Sequence, residues 1–194
     1  SGSPALDDVL RGIRLGDNVV WQVDHLSSYQ AFVRPFVQQS LRDGRRMVYM
    51  RFAPHEQVVD EQVGLVVHRL DPAPGFDQFS RTVHELIEAE GRDVMYVFDS
   101  LSFLAEEWAT DEMLANFFQV TCPFLFQLDT VAYFALDRSR HEAAAVGRIR
   151  ETTQILLDVY SVDRARYVHP IKVAERYGPQ MFLPHLVSGE RWQP

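Results

Sequence analysis

The chemical content of this chain is concentrated in Asp93-Val94-Met95-Tyr96-Val97-Phe98-Asp99-Ser100-Leu101-Ser102, an apolar run that ends on a carboxylate and two hydroxyls. Five apolar residues in succession leave no polar face, as expected of a central parallel strand covered on both sides. Such a strand delivers Asp99 and Ser100 at its carboxyl end. In open α/β sheets ligands bind at that edge, so both residues are candidates for a site. A helix N-cap is the competing expectation, with Asp99 or Ser100 accepting from a helix that starts near Leu101. A second polar group, Asp24, His25, Ser27 and Ser28, follows another apolar segment, and His25 could approach Asp99 at the strand ends. A cap or a structural hydrogen bond explains both of those residues equally well.

Other chemistries find less support. The seven histidines lack paired ligand spacing and Cys122 has no neighbouring cysteine, so no zinc site is expected. There is no Gly-x-Ser-x-Gly elbow, and sequence assigns no histidine base to Ser100 or Ser102, which leaves a hydrolase triad unsupported. The formal charge is −8, with no lysine-rich run, which argues against binding nucleic acid or an anionic membrane surface. A single cysteine fits a reducing cytoplasm. No apolar stretch reaches the length of a membrane span.

The elements that must position these residues follow from the apolar pattern. A short amphipathic turn or helix covers 7–16 and a strand 18–23. A helix from about 29 to 41 keeps Phe32, Val33, Phe36, Val37 and Leu41 on one face. Strands are expected at 46–52 and 63–70, a helix facing inward with Phe76, Phe79, Val83, Leu86 and Ile87, and then the central strand. Helical segments through 108 and over 112–128, a strand at 130–136 and a helix over 139–152 come next. Residues 154–160 read as helix end or strand. Segments 166–172 and 180–186 read as an antiparallel pair extending the sheet. Ser1-Gly2-Ser3 reads as a cloning remnant, and 4–194 as one domain.

This order of elements, with Val48-Tyr49-Met50-Arg51-Phe52 and Asp99-Ser100-Leu101-Ser102 closing two strands and Ile171-Lys172-Val173 in a terminal hairpin, resembles the RecA/KaiC branch of P-loop ATPases. The runs 91–98, 113–129 and 148–160 are also similar to a RecA-like amino-terminal domain of PEP-synthase-like proteins, which carry a PEP/pyruvate-binding ATP-grasp module. The resemblance implies a three-layer α/β sandwich, mainly parallel with an antiparallel carboxyl-terminal extension. It makes Asp99 the Walker B acid that holds magnesium water, and Lys172 the hairpin cation that touches a neighbouring subunit's nucleotide. A surface lysine is the plainer expectation for Lys172.

The departures from that family are as informative as the match. A phosphate-cradling loop needs glycines and a lysine. The corresponding stretch, Val23-Asp24-His25-Leu26-Ser27-Ser28-Tyr29, contains neither, and Lys172 is the only lysine in the chain. Phe52-Ala53-Pro54-His55-Glu56 stands where acids that activate water are expected, leaving His55 or Glu56 as stand-ins. Arg138, Arg140, Arg148 and Arg150 could bind phosphate or form exposed ion pairs with neighbouring acids. The expectation is therefore a non-catalytic regulatory or interaction domain with a degenerate nucleotide site, needing no cofactor. Its partner would be another protein or a fused downstream domain, and its state a monomer or homodimer. The alternative is an active ATPase that takes ATP and magnesium at Asp99, with arginines replacing the lysine.

Overall fold

One mixed sheet of eight strands, in the order β3-β2-β4-β5-β1-β6-β7-β8, organises the computed structural model, which describes residues 1–107, 110–188 and 192–194. The elements run α1 (Pro4–Leu10), β1 (Asn18–Val23), α2 (Leu26–Arg42), β2 (Met47–Arg51), β3 (Leu65–Arg69), α3 (Phe76–Glu90) and β4 (Met95–Ser100). They continue with α4 (Ser102–Glu107), α5 (Asp111–Gln127), β5 (Val131–Asp137), α6 (Ala143–Thr152), β6 (Ile155–Val162), β7 (Ala165–Val173) and β8 (His185–Leu186). Strands β1 to β6 pair in parallel, and β7 and β8 add antiparallel to the β6 side.

The two faces of the sheet are covered by different helices. Leu6 and Leu10 of α1 and Tyr29, Phe32, Val33 and Phe36 of α2 pack with Trp21, Tyr49, Val97 and Tyr133 on one face. On the other, Phe79, Val83 and Ile87 of α3, Leu104 of α4, Phe118 of α5 and Ile149 of α6 enclose Val48, Phe98 and Phe134. Period-two alternation along each strand sends neighbours to opposite clusters, so both faces must be apolar. Phe98 stacks on Phe134 with centroids 4.5 Å apart, and Phe118 meets Phe134 edge-on at 5.1 Å. Burying each such ring stabilises the fold by about 1.5–3 kcal/mol.

Three expectations change. Helix α1 covers Pro4–Leu10 rather than 7–16, and Arg11, in the left-handed region, ends it. Helix α2 begins at Leu26 rather than near Tyr29, so Ser27 and Ser28 lie in its first turn and His25 is its N-cap residue, without a side-chain cap bond. The strand at β7 pairs along its whole length with β6, through a tight turn at Asp163 and Arg164, both with positive φ. Only Tyr167 and Val168 face the expected partner, at Leu186 and His185. The short, interrupted apolar pattern of 180–186 supports no longer ladder. Residue 108, at the end of the expected helix, lies outside the described residues.

The connections leave β1 and β5 on opposite faces. Helix α2 carries the chain from β1 across one face to β2, while α6 carries it from β5 over the other face to β6. This reversal opens a crevice at the carboxyl ends of β1, β4 and β5, the position at which open α/β sheets bind ligands.

Candidate functional site

Asp99 emerges at that edge, but it does not face the crevice as a free acid. The parallel register aligning Met50 with Phe98 sets the carboxylate beside the end of β2, and the side chain is fully buried. Its Oδ2 accepts from the backbone N–H groups of Phe52 and Ala53, both at 2.8 Å, and from Arg51 Nη1 at 3.2 Å. Its Oδ1 accepts from the Tyr49 hydroxyl and lies 3.4 Å from Arg51 Nη1. Arg51 also donates to the His55 carbonyl, and the Tyr49 oxygen accepts from Val58 N–H at 3.3 Å, so 52–58 is wound around one carboxylate.

Electrostatics reinforce this closure. Burial, and then the neighbouring Asp99, push the Tyr49 hydroxyl well above its ordinary range, so it remains a donor. Burial works against the Arg51 charge, and Asp99 outweighs it, raising the guanidinium further. Asp99 does not cap α4. The donors it satisfies belong to the loop after β2.

The other expected residues are distributed around this centre. Ser100 donates to Asp137 Oδ1 at 3.3 Å. Ser100 and Asp137 line an open cleft of about 430 Å³ with Leu26, His55, Phe103 and Arg140. The histidine within 4.0 Å of Asp99 is His55 rather than His25. Its Nδ1 lies 2.7 Å from the Glu56 carbonyl, and Glu56 itself is exposed. Asp24 turns towards Arg138, with Nη1 to Oδ1 at 3.6 Å, and Arg138 also donates to Asp158 at 2.7 Å while lying over the Tyr160 ring. Arg140 pairs with Glu106 and Asp137, and Arg148 donates to Asn116 and Gln119. Lys172 donates to the carbonyls of Arg150 and Glu151 at 2.6 and 2.9 Å, and burial lowers its pKa. It thereby caps the last turn of α6.

Sequence reasoning missed two constellations. Ser102 Oγ lies 2.6 Å from His141 Nε2, and His141 Nδ1 lies 2.7 Å from Asp111 Oδ1, so a serine, a histidine and an aspartate form one hydrogen-bonded chain. Spacings of 9 and 30 residues carry no local signal. The three meet only because Ser102 opens α4, Asp111 opens α5 and His141 precedes α6. Ser102 is fully buried and its Oγ accepts Asp137 N–H at 2.8 Å, so the hydroxyl offers no open face to a substrate. The chain is a latch between loops. Burial works to raise the Asp111 pKa, but hydrogen bonds from His141 and Glu142 N–H outweigh it and hold the carboxyl low.

The second is Asp17–Arg176, a buried bidentate pair at 2.8 and 3.0 Å, with Arg176 donating also to Gly12 O at 2.7 Å. It ties the carboxyl-terminal segment to the entry of β1. A turn aspartate 159 residues from an arginine gives no periodic signal of that bond.

Among the described residues no group of three or more His, Cys, Asp or Glu side chains is arranged to hold a metal ion. Among them, too, no helix is long and apolar enough to cross a membrane. No protein-family model matches the chain, and comparison with curated proteins gives no match.

Proposed function

We propose that this chain is a non-catalytic regulatory or interaction domain of RecA/KaiC-like type, a three-layer sandwich whose nucleotide site has degenerated. The observation that carries this reading is the coordination of Asp99. Both of its oxygens are taken by Tyr49, Arg51 and the N–H groups of Phe52 and Ala53. A magnesium ion, or its water, would have to displace a part-buried guanidinium and two buried backbone donors, each costly to leave unpaired. The residues therefore do not fit that ion. The loop before α2 supports the same reading, because Asp24, two residues ahead of the helix, puts a negative charge near the N-terminus that would receive phosphate. Three of the four arginines named as replacements for a lysine are already occupied: Arg138 by Asp158 and Asp24, Arg140 by Glu106 and Asp137, and Arg148 by Asn116 and Gln119.

The strand order fits the resemblance as well: β1 lies inside the sheet and the Asp99 strand between β2 and β5. The partner of such a domain is another protein or a further domain of the same polypeptide. The test is calorimetric titration with ATP and magnesium, together with phosphate release. No heat of binding and no release above the buffer rate are expected. Release abolished by Asp99→Ala, in a variant that still folds, would overturn the reading.

A further inference from the structure

The two edges of the sheet are built differently. On one side β8 has two residues, and Leu186, paired with Tyr167 in the ladder, also bridges to Gln193, so among the described residues little backbone is left to pair. On the other, β3 spans five residues, Leu-Val-Val-His-Arg, in regular register with β2 and without proline or bulge. Leu70 N–H donates to Arg51 O, which fixes the alternation: residues 66 and 68 face β2, and 65, 67 and 69 face outward. Leu65 N–H is turned back to Gln62 O at 3.1 Å. The N–H and C=O groups of Val67 and Arg69 therefore point away from β2, on the side of β3 where the sheet has no further strand. An edge with these features lacks the proline and the bulge that commonly block pairing with another chain.

The surroundings indicate what would pair there. Val63, next to the strand, is 99% exposed. Asp60 and Asp71, exposed in the segments that precede and follow β3 in the chain, have no cation partner among the described residues. The basic side chains of the strand have acidic partners already: Arg69 pairs with Glu61, and His68 hydrogen-bonds with Glu90. A second copy would bring the same acids and another net −8, so repulsion disfavours self-pairing. We infer that the β3 edge receives an extended segment of a partner protein, added as a ninth strand, with β-branched residues along it and lysine or arginine at its ends to meet Asp60 and Asp71. This deepens the interaction-domain reading and rests on it.

The probe is a synthetic peptide of alternating valine and threonine with lysine at both ends, compared with a glutamate-ended counterpart. Binding is read by fluorescence anisotropy and by amide shifts of residues 65–69. The lysine-ended peptide is expected to bind at least tenfold more tightly, with shifts confined to β3 and its flanks. Val67→Pro removes an outward N–H and leaves the bonds to β2 in place, so it should abolish binding while the far-ultraviolet dichroism is kept. Asp60→Lys with Asp71→Lys keeps the backbone intact and should reverse the preference between the two peptides. Absence of binding, equal affinity for both peptides, or a concentration-dependent dimer that Val67→Pro dissolves would each overturn the inference. None of these outcomes involves nucleotide, so ATP binding in the titration above would fail the parent reading separately.

Discussion

The carboxyl edge of the sheet has two halves that use the same residue types in opposite ways. Around β2 and β4, one aspartate, one arginine and one tyrosine are shut inside the fold, with side-chain exposures of 0% for Asp99 and 17% for Arg51. Around β1 and β5, Asp24 and Arg138 meet with exposures of 33% and 36%. Water screens the second pair, and its net worth is small. The first pair has lost its water, so its partners must be present or the cost is high. An acid at a strand end is thus no guide to chemistry until its second neighbour is known. Here that neighbour is a loop backbone.

The comparison breaks most readily at Asp99. Asp99→Asn leaves Arg51 without a counter-charge and points an amide N–H₂ at existing donors, so a loss of about 3–5 kcal/mol is expected in chemical denaturation. Under the helix-cap expectation the same change would have been mild, since asparagine caps well. A loss below about 1 kcal/mol would restore that expectation.

The latch on the other side of the cleft is intermediate. Ser102→Ala removes both the donor to His141 and the acceptor for Asp137 N–H inside the fold, a loss of about 1–3 kcal/mol. An active-site serine reagent should leave Ser102 unlabelled in the folded protein, and rapid stoichiometric labelling would instead make the chain nucleophilic.

That latch also carries a pH signature. The folded pKa of Asp111 lies below its ordinary 3.8, so its contribution is complete above that value and is lost as pH falls through the lower folded one. Below pH 4 the melting temperature should therefore fall more steeply in the native chain than in Asp111→Asn. Parallel slopes would show that His141 and Glu142 N–H do not favour the charged form.

The sequence carries most of the strand and helix pattern because apolar period marks burial directly, as at Val94 to Phe98 or along α3. Legibility fails where a partner is set by topology. Asp99 is prominent in the sequence, but its ligands Tyr49, Arg51 and Ala53 are chosen by a parallel register that no local spacing encodes. The same holds for Asp17 with Arg176 and for Ser102 with His141. The sequence pairs 166–172 with 180–186, and the structure keeps only a two-residue ladder there, because 154–160, which reads as either helix end or strand, forms β6 and takes most of β7.

The smallest effect is expected on the exposed side. Arg138 has two carboxylates and the Tyr160 ring around it, which in a dry setting would make it a strong anchor. More than a third of its side chain is exposed, however, so salt and water compete for the same charge. Arg138→Ala should cost no more than about 1 kcal/mol, and the difference from the native chain should shrink as salt is raised from low to molar concentration. The backbone bond from Arg138 N–H to Val23 O at 2.8 Å survives the change and keeps β5 aligned with β1. A salt-insensitive loss comparable to that of Asp99→Asn would mean that the two halves of the edge are not different in kind, and that Asp24 and Asp158 hold the fold as firmly as Asp99 does.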